Sequence, residues 1–234
     1  MSFLYSQLFV TPPKPTARVD GKTVIVTGSN VGLGKEAARH FASLGASTLI
    51  IAVRSLEKGN AAKADIESTT KISKDVIQVW QLDLSSYESV KEFAKRVEGL
   101  PRVDIVVENA AIATEEWRTA EDNEATITVN VVSTFLLALL ILPKLKQTAS
   151  KFNVRPMLTI VSSEVHGWAK FKERDAPEGK IFEQLNDKSK ADMGDRYMVS
   201  KLLEVLAIRA IVERNPAESY PVTINTVNPG LCHS

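Results

Sequence analysis

At 234 residues, 44% hydrophobic and 24% charged, the chain can bury one sizeable core and has the composition of an ordinary globular domain. A formal net charge of +1, with no Lys/Arg-rich stripe, excludes a strong electrostatic pull toward nucleic acid or acidic membranes. A lone cysteine, Cys232, excludes an internal disulfide; with only His40, His166 and His233 beside it no metal site is expected, and the expected location is cytoplasmic.

Met1 to Val10 is apolar, yet it lacks the basic start and small-residue cleavage site of a signal peptide and is too short to span a bilayer. It is expected to be a short arm packed on its own domain or a neighbour, and no transmembrane segment is expected. The stretch Thr11–Pro15 (TPPKP) reads as a stiff linker, so residues 1–20 divide from a domain over 21–234. From Gly21 onward, short β-branched runs alternate with amphipathic stretches. Strands are predicted over Thr23–Thr27, Thr48–Val53, Val76–Leu82, Val103–Val107, Leu158–Val161 and Val222–Val227. Helices are predicted over Lys35–Leu44, Leu56–Thr69, Ser86–Val97, Glu121–Leu142 and Arg196–Arg214. Ser85 and Glu88 read as a capping box for the third, and Pro143 is expected to end or kink the fourth. Strand–helix alternation of this kind gives right-handed crossovers, and the fold class expected is α/β: a single-domain, Rossmann-type doubly wound parallel sheet with helices on both faces.

The first strand runs directly into Thr27-Gly28-Ser29-Asn30-Val31-Gly32-Leu33-Gly34 and then a helix. Glycines at this GxxxGxG spacing let the backbone turn tightly and approach a pyrophosphate, which sits at the positive end of the following helix. The second strand indicates which dinucleotide. An NAD site usually ends it with a carboxylate for the ribose hydroxyls; here it ends Ala52-Val53-Arg54, and a guanidinium suits a 2′-phosphate. NADP(H) is therefore the expected cofactor.

Tyr197 and Lys201 lie four residues apart at the start of a helical run and share one face. A phenol is too weak an acid to exchange protons readily at neutral pH, and a neighbouring ammonium is expected to lower its pKa. Ser162-Ser163 follows the fifth strand, Asn130 sits inside a long apolar helix where an amide needs partners, and Asn228-Pro229-Gly230 follows the last strand.

With these elements in order over residues 20 to 234, the sequence closely resembles the short-chain dehydrogenase/reductase family. The residues that carry the likeness are TGSNVGLG (27–34), Asp83-Leu84, Asn109-Ala110, Asn130, Ser163, Tyr197-Met-Val-Ser-Lys201 and Asn228-Pro-Gly230. The glycine loop, Arg54 and the long segment before Tyr197 look like the retinol-dehydrogenase-like branch. The resemblance implies an oxidoreductase that interconverts a ketone or aldehyde and its alcohol. It makes Tyr197 the general acid in reduction and the base in oxidation. Lys201 lowers the Tyr197 pKa and binds the nicotinamide ribose, Ser163 donates to the substrate oxygen, and Asn130 holds a water or backbone carbonyl in a proton relay. Gly28, Ser29, Asn30, Val31, Gly32, Leu33 and Gly34 form the phosphate loop, with Arg54 at the 2′-phosphate. Asp83 and the Leu84 backbone are assigned to adenine, Asn109 and Ala110 to the adenosine side, and Pro229, Gly230 and Ser234 to the nicotinamide side.

Two departures stand out. The family's Asn-Asn-Ala-Gly turn reads Glu108-Asn109-Ala110-Ala111, placing a carboxylate near the site and removing a glycine, so a shifted loop is expected. Family members also continue past Pro-Gly, whereas the sequence ends at Ser234; a fragment, or a listing of only part of the chain, is the expectation. The segment 164–196 is expected to wall the substrate pocket, with Trp168 and Phe171 as apolar contacts or as anchors of the loop. A C=C reductase and a non-catalytic NADP-binding protein are the competing readings. The partners expected are a small carbonyl or alcohol and further copies of the chain, paired through the helices of residues 121–142 and 197–214.

Overall fold

A computed structural model of the chain describes residues 5, 9–11, 13–216 and 218–232. Most of the expected N-terminal arm, and Ser234 of the candidate site, lie outside them. Eight strands alternate with helices in the described residues: β1 Thr23–Thr27, α1 Gly32–Ser43, β2 Thr48–Val53, α2 Leu56–Thr70, β3 Ile77–Gln81, α3 Tyr87–Glu98 and β4 Ile105–Glu108. A hairpin of β5 Thr119–Ala120 and β6 Asn123–Glu124 follows, then the long helix α4 (Ala125–Phe152), β7 Met157–Val161, α5 Ile181–Leu185, α6 Met193–Arg214 and β8 Thr223–Val227.

Six strands form one parallel sheet in the order β3-β2-β1-β4-β7-β8. The order reverses beside β1, so the chain leaves β1 and β4 in opposite directions and opens a crevice at their carboxyl ends. Period-two alternation sorts the strand residues between two cores. Ile25, Ile50, Val106 and Leu158 face α3 and α4. Val24, Val26, Leu49 and Ile51 face α1 and α2. Helix α4 is apolar and long enough to cross a membrane, but 72% of that apolar stretch is buried within this domain.

The predicted strands all form, with ends moved by no more than two residues. Three helical expectations need correction. The fourth helix starts at Ala125 and not Glu121, because Glu121 turns into the left-handed region (φ 52°) inside the hairpin and the Glu124 carboxylate caps the helix, accepting from Thr126 N at 2.8 Å and Ile127 N at 3.2 Å. It then runs through Pro143 to Phe152. Pro143 is exposed and so is Leu139, four residues before it, so the carbonyl deprived of its partner faces water. Finally, the cap of α3 is Ser86, whose hydroxyl accepts from Ser89 N at 3.3 Å; Ser85 is instead held in a turn by the Asp83 carboxylate, at 2.9 Å from its N–H and 2.6 Å from its hydroxyl.

Candidate active site

All strands of the sheet run parallel, so the segments that follow them meet along one edge. Gly28 follows β1, Arg54 β2, Asp83 β3, Asn109 β4, Ser163 β7 and Pro229 β8. Along that edge lies a groove in two joined parts. One, of about 750 Å³, is lined by Asn30, Arg54, Asp83, Leu84 and Ala110 among others. The other, of about 640 Å³, is lined by Val31, Leu33, Gly34, Asn109, Ser163, Tyr197, Lys201, Pro229 and Gly230. Gly28, Asn30 and Ala110 border both.

The glycine loop is built for close backbone approach. Gly28 holds φ +64°, and a Cβ there would stand 2.8 Å from Ala110 Cα. A Cβ on Gly34 would meet the Gly28 carbonyl at 2.5 Å. Val31 precedes α1 without a side-chain cap, so the first N–H groups of that helix take no hydrogen bond from it. Ser29 does not face the groove; its hydroxyl is buried on Val26 O at 2.8 Å, and its side chain therefore locks the turn. Gly32 also stands off the groove and starts α1 at φ +53°.

Thr27, which sequence reasoning passed over as a site residue, joins the two phosphate-side loops. Its buried hydroxyl accepts from both Asn109 N and Ala110 N at 3.0 Å, while Asn109 Nδ2 donates to Thr27 O at 3.0 Å. Ala111 does not adopt positive φ, so the turn after β4 does without the glycine conformation. The carboxylate expected near the site is not in the groove. Glu108 is buried, and strand alternation sends it to the same side as Val106, under the helices.

Asn130 lies in a π-helical turn, Thr128–Ser133, within α4. Its side chain accepts from Ile112 N at 2.9 Å and donates to Ile112 O at 2.9 Å and Ser200 Oγ at 3.0 Å. Such turns displace one residue from the regular ladder, which here aims an amide across to both the loop after β4 and helix α6.

Helix α6 carries Tyr197 and Lys201 on one face. Ser163 lines the groove with the Tyr197 hydroxyl, close enough to favour the phenolate. Lys201 Nζ lies 5.7 Å from the centre of the Tyr197 ring and donates to Val161 O and Glu204 Oε1, each at 2.8 Å. The expected lowering of the phenol does not hold here. Burial raises the Tyr197 pKa, the negative Glu204 raises it further, and Ser163 only partly opposes them. Glu204 is the second residue that sequence reasoning missed; the signal was an acid one turn beyond Lys201 in an otherwise apolar run. Asn228 Oδ1 accepts from Glu164 N at 3.0 Å and Gly230 N at 3.1 Å, tying the Pro-Gly turn to the Ser163 loop.

The loop before α6 meets the pocket-wall expectation at Val165, which lines the groove, but not at its aromatic residues. Phe171 is buried among Ile127, Val131, Leu185 and Val199, so it anchors the loop. Trp168 is 59% exposed and lies outside the groove lining. Below them, Asp195 accepts from the Lys170 and Phe171 N–H groups at 3.1 Å, and Arg196 is buried 3.3 Å from Glu173 and 3.7 Å from Glu124.

Comparison with known proteins agrees with this architecture. The family model described as short chain dehydrogenase matches residues 22–157. The chain is 61% identical over its whole length to the short chain dehydrogenase/reductase dmxR8 of Cryptosporiopsis sp., covering 73% of that protein. It is 45% identical over 99% of its length to the short chain dehydrogenase atnD of Emericella nidulans, covering 74% of it. Among solved structures, a putative short chain dehydrogenase from Escherichia coli CFT073, complexed with NADPH, superposes over 94% of this chain and 80% of its own, with a TM-score of 0.67 at 24% identity. A parallel sheet with a glycine loop at its reversal point and a Tyr–Lys pair on a neighbouring helix defines a nucleotide-binding dehydrogenase of the doubly wound class. This chain belongs to the short-chain dehydrogenase/reductase family.

Proposed function

We propose that the chain is an NADP(H)-dependent reductase of ketones or aldehydes, able to run in reverse on the alcohol, with Ser163, Tyr197 and Lys201 as its centre. The observation that carries this reading is their convergence on one groove, which Ser163, Tyr197 and Lys201 line together with Gly28 and Gly34 of the glycine loop. The nucleotide fits the residues present. Gly28 and Gly34 leave room that any Cβ would fill, Arg54 is exposed at the end of β2, and Asp83 lines the groove with one carboxylate oxygen committed to Ser85. The cofactor, when bound, supplies or accepts the hydride.

In reduction, Ser163 donates to the substrate oxygen and orients it toward Tyr197. Tyr197 then gives its proton to that oxygen as negative charge develops there. Held above its ordinary pKa by burial, the phenol gives up its proton only to the alkoxide developing on the substrate, which is a stronger base than the phenolate. Lys201, anchored by Val161 O and Glu204, lines the groove beside the Tyr197 ring and is the residue assigned to the nicotinamide ribose. Asn130 fixes Ile112 at both its N–H and its carbonyl, so the loop roofing the groove stays in register with α6.

The test is NADPH consumption by the full-length protein over a panel of ketones, aldehydes and activated alkenes, with products identified. Alcohol products support the proposal. Saturation of the C=C bond alone would replace it with alkene reduction, and tight NADP(H) binding without turnover on the panel would replace it with a non-catalytic binding role. Self-association through α4 and α6 belongs to the same reading, because Leu139 and Leu206 stand exposed on those helices.

A further inference from the structure

One acid, Glu204, stands behind Lys201, and a second buried acid, Glu108, feels the charge of Glu204. Glu204 lies one helical turn beyond Lys201, and its Oε1 receives the ammonium at 2.8 Å with both side chains only 2% exposed. Its Oε2 has no hydrogen-bond partner. Glu108, at the end of β4, is buried, and neither of its carboxylate oxygens has a partner. The negative charge that acts on it is that of Glu204. Strand register puts Glu108 on the same face as Ile160 and Thr226, and the Thr226 hydroxyl is likewise buried without a partner.

Charge counting decides the state of this cluster. Two carboxylates and one ammonium leave a net negative charge in a dry interior, which is costly; one bound proton removes it. No hydrogen bond joins the two acids, so any coupling between their titrations runs through charge across the dry interior. Burial pushes the Glu108 carboxyl well above the usual carboxylate range and brings Glu204 to about 7 against the partial relief given by Lys201.

Few other groups bear on the pair. On α6 they are Lys201 and Tyr197, with Asp195 and Arg196 at the start of the helix. The turn Glu164–Trp168, packed against α6, brings Glu164 and His166, whose Nδ1 lies 2.7 Å from Ser163 O. The segment Ala125–Ser133 and strand β8, also packed on α6, contribute no charged side chain. Ser162 adds a neutral hydroxyl between Glu204 and the Lys201 carbonyl, 3.0 Å from the latter.

We propose that Glu108 and Glu204 are positioning residues that share one proton and act through Lys201, offsetting its charge so that Tyr197 stays protonated and the centre is biased toward carbonyl reduction. The inference rests on the Ser163–Tyr197–Lys201 reading above. When the pair loses its proton, the net negative charge behind Lys201 grows and the phenol holds its own proton more firmly. Reduction, which needs the phenol, is then protected at alkaline pH, while oxidation, which needs the phenolate, is held back.

Two measurements separate this inference from the reading it rests on. Difference infrared spectroscopy of the wild-type protein, titrated with pH, should show the C=O stretch of one buried carboxylic acid; the Glu108→Gln variant should lose that band. No such band at any pH overturns the shared proton, whatever Tyr197 does. The second is the pH profile of single-turnover NADPH oxidation with a reactive aldehyde. In Glu204→Gln the alkaline limb should move down by about one pH unit, and Glu204→Asp should restore part of it. Glu108→Gln, which leaves the Lys201–Glu204 contact in place, should move it in the same direction by less and serves where Glu204→Gln fails to fold. Profiles that superpose on wild type overturn the coupling. If Tyr197→Phe keeps full turnover, the reductase reading fails while the infrared band still stands.

Discussion

Replacing Thr27 by Val tests whether the glycine loop and the turn after β4 are one unit. The side chains are nearly isosteric, so packing at this buried site is preserved and only the acceptor is lost. Two backbone donors, Asn109 N and Ala110 N, each sit 3.0 Å from the Thr27 hydroxyl. Leaving a partly buried N–H unsatisfied costs about 1–1.5 kcal/mol, so the variant should lose roughly 2–3 kcal/mol. For a domain of this size that is a fall in Tm of about 4–10 °C. Thr27→Ser keeps the hydroxyl and should stay within about 1 kcal/mol of wild type. Because the same turn borders the groove, Thr27→Val should also weaken NADPH binding, whereas Thr27→Ser should not. Chemical denaturation and a cofactor titration on all three proteins provide the assay. A Val variant as stable as wild type would refute the claim that this hydroxyl holds the two loops together.

Arg54→Asp should weaken NADPH binding about ten- to hundredfold and narrow or reverse the preference over NADH; titrations with both cofactors check it, and an unchanged preference removes Arg54 from the phosphate site. The folded chain keeps a proton on the Glu108–Glu204 pair that the unfolded chain releases; for Glu204 this contribution to stability is full below pH 4.5 and is lost as pH rises through about 7. With that span, on the order of 3 kcal/mol should disappear across the window, and denaturation curves of Glu204→Gln should lack that component of the slope. Sedimentation should show a dimer or larger species that Leu206→Glu shifts toward monomer; a monomeric wild type would end the proposed pairing.

Much of this molecule was legible in the sequence because period and punctuation agreed. The runs TVIVT and TLIIAV are apolar on both faces, as strands sandwiched between helix layers must be, and the glycines of 28–34 mark a place where backbone segments approach closely. The errors came where a side chain overrode local propensity. Glu124 caps α4 only because Glu121 turns left-handed before it, and Asp83 takes Ser85 out of the capping role by bonding it first. Pro143 breaks a helix in general but not one whose proline faces water. The site was legible in its members and less so in its electrostatics. Lys201 and Tyr197 are visible as a spacing, but that Glu204 takes the ammonium and that Glu108 is buried without a partner depend on the packed fold. Phe171 was left between its two roles for the same reason: only the packed loop shows that it points into the Leu185–Val199 cluster.

The central claim is that Tyr197 is the proton donor in a carbonyl reduction. Single-turnover NADPH oxidation by Tyr197→Phe, paired with a cofactor titration, tests it most directly, with Lys201→Ala as the companion. The substitution keeps the ring and removes only the hydroxyl that faces the groove beside Ser163. The predicted result is a loss of at least about 10²–10⁴-fold in the chemical step with NADPH affinity little changed, while Lys201→Ala loses both. Turnover by Tyr197→Phe close to that of wild type would contradict the mechanism.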